Sequence, residues 1–287
     1  MENLIISAEA TCDLPQDLIL KYDLKVISMN FNVSGVSYST ENDTVSSTNL
    51  YEKMRKGERT STSQINQSNY SRFFSNLLKE NKPILHIAFS SGQSGTYYVA
   101  KKVADDINKE LGTKIYVIDS LCSCSGHGML AILAREYSKT ANSIEEVISY
   151  IENIKIRLNH IFSVDNLKYL ANGGRISASG AFIGNMLKIK PIMRVDEKGS
   201  LCVTQKVISR KKSLITIFEK TKANYDEKYD ICFISHADCL KDAEFLKEKI
   251  EAETSLKPII TDLGPVIGCH SGPGTIAVYF IGKSRKI

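Results

Sequence analysis

Between Leu263 and Gly274 the chain reads LGPVIGCHSGPG, setting one imidazole, His270, beside one hydroxyl, Ser271. Four of these twelve residues are glycine and two are proline. Glycine supplies positive-φ conformations and close backbone approach, while proline fixes φ and removes a donor. The composition predicts an irregular loop rather than a helix or strand. Two readings of its histidine are open: an incidental residue of a tight turn, or an imidazole aimed at a ligand. Ser94, followed by Gly95, stands where an apolar run gives way to a helical pattern. A ligand oxygen there meets both a hydroxyl and free helix amides, although an ordinary N-cap serine has the same local pattern. Gly92-Gln93-Ser94-Gly95 approaches a nucleophile elbow, but Thr96 occupies the position that needs the second glycine. Arg175 follows Gly173-Gly174; a buried arginine there requires an anion, a surface one does not.

Hydroxyls, one imidazole, one guanidinium and helix amides together describe a receptor for a carboxylate or phosphate. Nothing in the sequence adds a cofactor or metal to that set. No H-x-x-x-H pair and no G-x-x-x-x-G-K-[ST] occurs, and Gly126-His127-Gly128 lacks the third glycine of a dinucleotide fingerprint. His86, His160 and His236 lie in apolar runs and are expected to be core histidines. Lys206, Arg210, Lys211 and Lys212 form a basic cluster at a helix start. Cations there oppose the helix dipole, so either a solvated face or an anionic partner is expected.

These residues need a scaffold. At 287 residues two domains are the natural expectation, divided here into 1–157 and 158–287. The composition, 43% hydrophobic and 24% charged, is that of a globular protein. A net charge of +5, without clustered aromatics, argues against nucleic-acid binding. No apolar run approaches a membrane span, and Glu2, Glu9 and Asp13 argue against a signal peptide, so a cytoplasmic location is expected. Seven scattered cysteines without C-x-x-C suit neither a disulfide framework nor a zinc site.

Leu4–Ser7 reads as a first strand, Asp13 before Pro15 as a helix start, and Lys25–Val33 as a second strand. Glu58–Asn66 is a polar stretch leading into a helix. Ile84–Phe89 and Ile115–Asp119 are buried strands, each followed by a serine-rich turn and a helix. That repetition predicts a parallel sheet, with ligands beyond the carboxyl ends of its strands. Ser143 to Glu146 is a capping box. After residue 158, strands at Asn159–Val164, Lys190–Val195, Leu201–Val207, Ile231–His236 and Thr275–Ile281 alternate with helices. An α/β chain follows, with a parallel-sheet N-terminal half and a mixed-sheet C-terminal half.

Six blocks then resemble one family in order: Thr62-Ser63-Gln64; Ser91 with Ser94-Gly95-Thr96-Tyr97; Asp119-Ser120 with Ser125-Gly126; Leu167 to Ile176 with its Gly-Gly-Arg; Ile189-Lys190-Pro191-Ile192; and Gly264 to Gly274. Together they resemble the DegV family of bacterial fatty-acid-binding proteins, from about residue 4 to 281. The resemblance implies a two-domain protein that binds one long-chain fatty acid. It also implies presentation of the carboxylate to a separate ATP-binding fatty-acid kinase subunit, giving an acyl phosphate for phospholipid synthesis. By position, Thr62, Ser94 and Gly95 would hold the carboxylate, with Arg175, His270 and Ser271 completing the polar end. Phe182, Ile183 and Met186, beside Leu187, would enclose the tail. Two departures stand out: Glu9-Ala10-Thr11 replaces the family's usual Asp-Ser-Thr, and Ile65 replaces a common proline. The alternative from another class is a serine hydrolase or acyltransferase using Ser94 and His270, without an evident acid partner.

Overall fold

Residues 4–41, 47–176 and 189–286 are described in the structure, a computed structural model. The first sheet is built from β1 (Ile5–Glu9), β2 (Leu24–Ile27), β6 (Ile84–Ala88) and β7 (Ile115–Asp119). Its order is β2-β1-β6-β7, and every pairing is parallel. β1 and β6 are buried along their whole length, as central strands covered on both faces must be. The covering helices include α3 (Gln67–Leu78), α4 (Thr96–Leu111), α5 (Cys124–Ser138) and α6 (Ile144–Lys155). The Ser143 cap is present, its hydroxyl accepting from the Glu146 amide at 3.3 Å, while the Glu146 carboxylate accepts from the Asn142 amide at 2.9 Å and so reaches one residue beyond a capping box.

Lys25–Val33 is not one strand. β2 ends at Ile27, and the chain turns into β3 (Asn30–Val33), which belongs to a different, antiparallel sheet. That small sheet is ordered β4-β3-β5, with β4 (Val36–Ser39) and β5 (Thr60–Thr62) on either side of β3. The polar stretch after Glu58 thus supplies a strand that its composition concealed. Thr60 and Thr62 pair with Val33 and Phe31, and α2 (Ser47–Arg55) connects β4 to β5.

The second sheet holds β8 (Leu158–Ser163), β9 (Ile189–Val195), β10 (Leu201–Ile208), β11 (Ile231–His236), β12 (Lys257–Asp262) and β13 (Ile276–Ile281). Its order is β10-β9-β8-β13-β11-β12, and only β11–β12 is parallel. Alternation along these strands assigns two faces. Ile161, Ile192, Val278 and Phe280 pack in one core with α8 (Arg210–Asn224) and α9 (Leu240–Glu253). Phe162, Met193, Ala277 and Tyr279 face the opposite way, into the core shared with the first half of the chain.

The glycine- and proline-rich stretch contradicts the expectation of an irregular loop. Pro265–Ser271 forms a short helix, α10, preceded by α7 (Lys168–Asn172) earlier in the chain. Pro265 occupies the first turn, where a missing N–H is harmless, and Gly272 ends the helix at φ +80°. Gly268, poor in helix propensity, is there for proximity: a Cβ would fall 2.5 Å from the Tyr51 hydroxyl oxygen.

Candidate functional site

A cavity of about 350 Å³ lies between the inner face of the second sheet and the loops at the carboxyl ends of the first. Its walls are apolar where Phe89, Phe162, Leu170, Leu201, Val266 and Ile267 meet. Thr62, Gln64, Ser94, Gly95, Arg175 and His270 make up one polar end, and Thr11, Ser123, His160 and Thr275 add further polar groups to the lining. Each polar residue arrives by a different element: Thr62 from β5, Ser94 and Gly95 from the β6–α4 loop, Arg175 just after α7, and His270 from α10.

His270 is set by three neighbours. Its Nε2 lies 2.7 Å from Thr62 Oγ1. Its Nδ1 is buried with no hydrogen-bond partner among the described residues and abuts Gly173, where a Cβ would fall 2.3 Å from it. The Gly173 carbonyl in turn accepts from the Arg175 guanidinium. Burial, together with the Arg175 cation, pushes His270 down to about 4. At neutral pH the imidazole is therefore uncharged. Arg175 is half-buried, which lowers its own pKa, and among the described residues no carboxylate pairs with it. The polar end thus carries one positive charge with no counter-ion among the described residues.

Ser94 Oγ lies 2.9 Å from Thr96 Oγ1 and accepts from the Thr96 amide at 3.3 Å. Ser94 and His270 share the cavity but not a hydrogen bond, so the structure does not form a nucleophile–base pair from them. The Ser271 hydroxyl is engaged within its own helix, donating to the Ile267 carbonyl at 3.2 Å. Phe182, Ile183 and Met186 lie outside the described residues.

His86 is a core histidine, with Ser7 Oγ 3.0 Å from its Nδ1. His236 is buried 3.5 Å from the Asp262 carboxylate. His160, expected in the core, is buried but forms part of the cavity wall, its Nε2 accepting from the Ser123 amide at 3.2 Å. Glu9 is fully buried and accepts from the Tyr70 hydroxyl at 2.7 Å and the Phe89 amide at 2.9 Å. Burial alone would raise its pKa, but His86, His127 and Tyr70 outweigh that and hold it near 2. Its longer side chain bridges β1 to the end of β6, next to the cavity-lining Phe89. Gln64 and Gln93 also line the cavity and were not singled out as site residues. The signal for Gln64 was its place in the Thr-Ser-Gln block, and its Oε1 packs against Gly95, where a Cβ would fall 2.9 Å away.

A family model described as "Uncharacterised protein, DegV family" matches residues 3–283. The chain belongs to the DegV family. A DegV domain-containing protein of Clostridium perfringens is 36% identical over 292 residues, covering 100% of both chains. The structure superposes on a DegV lipid-binding protein of Thermotoga maritima with a TM-score of 0.85 at 28% identity, covering 99% of this chain and 100% of that one. A DegV family protein of Thermus thermophilus, whose structure describes fatty-acid binding, gives a TM-score of 0.86 at 26% identity, over 96% and 98% of the two chains. These matches establish the α/β DegV fold, with a parallel four-stranded sheet followed by a mixed six-stranded one. No helix among the described residues is long and apolar enough to cross a membrane.

Proposed function

We propose that this protein binds one long-chain fatty acid non-covalently, with the carboxylate at the Thr62, Ser94, Arg175 and His270 end and the tail between the sheets. The observation that carries the reading is a cavity with a largely apolar wall whose polar end holds an arginine with no acidic partner among the described residues. Because His270 is neutral, charge compensation for a carboxylate falls to Arg175, while the Thr62 and Ser94 hydroxyls supply hydrogen bonds and the imidazole fixes the Thr62 hydroxyl. A buried methylene is worth about 0.8 kcal/mol, so a sixteen-carbon tail contributes on the order of 12 kcal/mol before ordering costs. Affinity then comes from the tail and orientation from the head. Lipid and fatty-acid binding described for the Thermotoga and Thermus relatives supports the same reading.

In the proposed division at 157/158, the head would be held by both units, Thr62 and Ser94 from the first, Arg175 and His270 from the second. We further infer that the carboxylate is presented to a separate ATP-binding kinase subunit. There a carboxylate oxygen would attack the γ-phosphorus of ATP, releasing ADP and leaving an acyl phosphate, with no bond to this chain. A serine hydrolase or acyltransferase would instead form an ester on Ser94, for which Ser94 on Thr96 and His270 on Thr62, rather than on each other, give no support.

Native mass spectrometry of protein purified from bacteria tests the carrier reading directly. One unmodified fatty-acid mass per chain, released by organic solvent, is expected. A covalent acyl adduct on Ser94 would favour the enzyme. Failure of delipidated protein to take up added palmitate or oleate would sink the carrier.

A further inference from the structure

Asp13 is far from the Gly264–Gly274 stretch in sequence and touches it in space. It follows a 3-10 turn at Ala10–Cys12, has a left-handed backbone (φ 46°), and donates its amide to Ala10 O at 3.3 Å. Its side chain lies in the seam between α5 and the start of α10. Oδ2 accepts from the Cys124 thiol at 2.9 Å, and the carboxylate packs against Gly264, the residue that caps α10. The fit around Oδ1 leaves no room for a side chain. A Cβ at Gly264 would fall 2.1 Å from Oδ1, and its three nearest atoms would all belong to Asp13. Gly264 itself has an ordinary extended backbone (φ −65°, ψ 162°) that any residue adopts. Its glycine therefore answers to Asp13 and not to the turn.

We propose that Asp13 is a positioning residue for the polar end of the cavity, its carboxyl oxygen fixing the start of the helix that carries His270. The inference rests on the carrier reading, in which His270 belongs to the ligand's head. Two other long-range contacts hold the same segment. The Tyr51 hydroxyl donates to the Leu263 carbonyl at 2.6 Å, and the Thr60 hydroxyl to the Cys269 carbonyl at 2.9 Å. Asp13 is the contact at the helix's amino end, against the capping Gly264 itself. Without it α10 can shift along its axis, and His270 loses its register with Thr62.

The acceptor matters here more than the charge. Burial raises the Asp13 carboxyl to about 7, although the Cys124 thiol and the Gly264 amide both draw it down. The titratable groups facing it, Cys12, Tyr51, Cys124 and Tyr279, are all pushed up by burial and neutral at pH 7. A proton on Oδ2 reverses the bond, Oδ2 then donating to the Cys124 sulfur, and leaves an unprotonated Oδ1 against Gly264; an asparagine can take the same arrangement with its amide N–H toward the sulfur.

The test compares Asp13→Ala with Asp13→Asn in the full chain, using palmitate and methyl palmitate as ligands. Asp13→Ala is expected to weaken palmitate binding roughly five- to tenfold, the worth of one buried hydrogen bond. Methyl palmitate, which lacks the anionic head, should bind as to wild type, and Asp13→Asn should resemble wild type with both. Amide hydrogen exchange over residues 265–271 should accelerate in Asp13→Ala without ligand. Gly264→Ala should reproduce these losses alone, yet add little on top of Asp13→Ala, because both act on one contact. If Asp13→Ala does not fold, Gly264→Ala displaces the same oxygen and takes its place. Unchanged exchange over α10, equal impairment by alanine and asparagine, or additive losses in the double variant would each overturn the proposal. If wild type takes up no palmitate, the carrier reading fails, while the exchange and double-variant results still decide the role of Asp13.

Discussion

His270 shows how a single side chain links the site to stability. The neutral form is favoured in the folded chain because burial and the Arg175 cation oppose its protonation. In the unfolded chain the same imidazole titrates at its ordinary 6.5, so between about 6.5 and about 4 the unfolded state binds the extra proton. The contribution is therefore complete above 6.5 and is lost as the pH falls through that window. It amounts to on the order of 3 kcal/mol. Replacing His270 by Gln removes the titration, so urea unfolding should fall off less between pH 7 and pH 4.5 in His270→Gln than in wild type. Identical pH slopes for the two proteins would contradict the depressed value. Glu9 acts at lower pH. Held near 2 against an ordinary 4.5, its carboxylate stabilises the fold above 4.5 and ceases to do so only as the pH falls toward 2.

At the scale of one element, α8 separates two kinds of cation that the sequence grouped together. Arg210 is not a solvated docking residue. It donates to the Asp242 carboxylate at 2.8 Å and lies 3.5 Å from Asp165, tying the start of α8 to α9 and to the chain after β8. Ser209 caps the same helix, its hydroxyl accepting from the Lys212 amide at 3.3 Å. Lys211 and Lys212 are exposed in that first turn, where positive charge opposes the dipole. If the carboxylate is handed to a kinase that carries ATP, a positive surface favours the encounter. Lys211→Glu combined with Lys212→Glu should leave palmitate occupancy intact. The pair should slow acyl-phosphate formation by the kinase, more at low than at high salt. Turnover that ignores both the charge reversal and the salt would remove α8 from the docking surface. Reversing Arg210 would not discriminate, because it would break the ion pairs that hold the helix.

The whole molecule depends on a residue close to its C-terminus. Arg285 is 3% exposed and holds both halves of the chain. It donates to the carbonyls of Leu158 at 2.9 Å, Leu121 at 3.0 Å, Asp196 at 3.2 Å and Lys155 at 2.5 Å, and to the Cys122 thiol at 3.1 Å. These acceptors lie after β7, at the end of α6, at the start of β8 and in the β9–β10 turn. Truncating the side chain leaves several buried carbonyls without a donor, each costing about 1–3 kcal/mol. Arg285→Ala should therefore lower unfolding stability by at least ~3 kcal/mol, and Arg285→Lys should restore only part, since an ammonium cannot reach acceptors spread in a plane. Chemical denaturation measures both. A loss within ~0.5 kcal/mol would show the contacts to be dispensable.

What the sequence determined is what local pattern encodes. Short apolar runs marked most strands of the two larger sheets, and two strand–turn–helix repeats implied the parallel order of the first. Ser143 announced its helix because an N-cap hydroxyl and the amide it accepts from lie within four residues. The Gly-Gly-Arg and Gly-Pro blocks identified the family because their spacing is itself the signal. Tertiary structure decided whatever depends on partners distant in the chain. Leu263–Gly274 contains a helix because Pro265 fits a first turn and Gly268 yields its space to Tyr51, 217 residues earlier in the chain. Lys25–Val33 divides because β2 finds β1 on one side of Ser28, while β3 finds β4 and β5 on the other. Arg210 is an anchor because Asp242 and Asp165 come to it, and Arg285 is a buried staple because four elements turn their carbonyls toward it. Local periodicity records which face of an element is buried; it carries no record of which distant group will complete a hydrogen bond there.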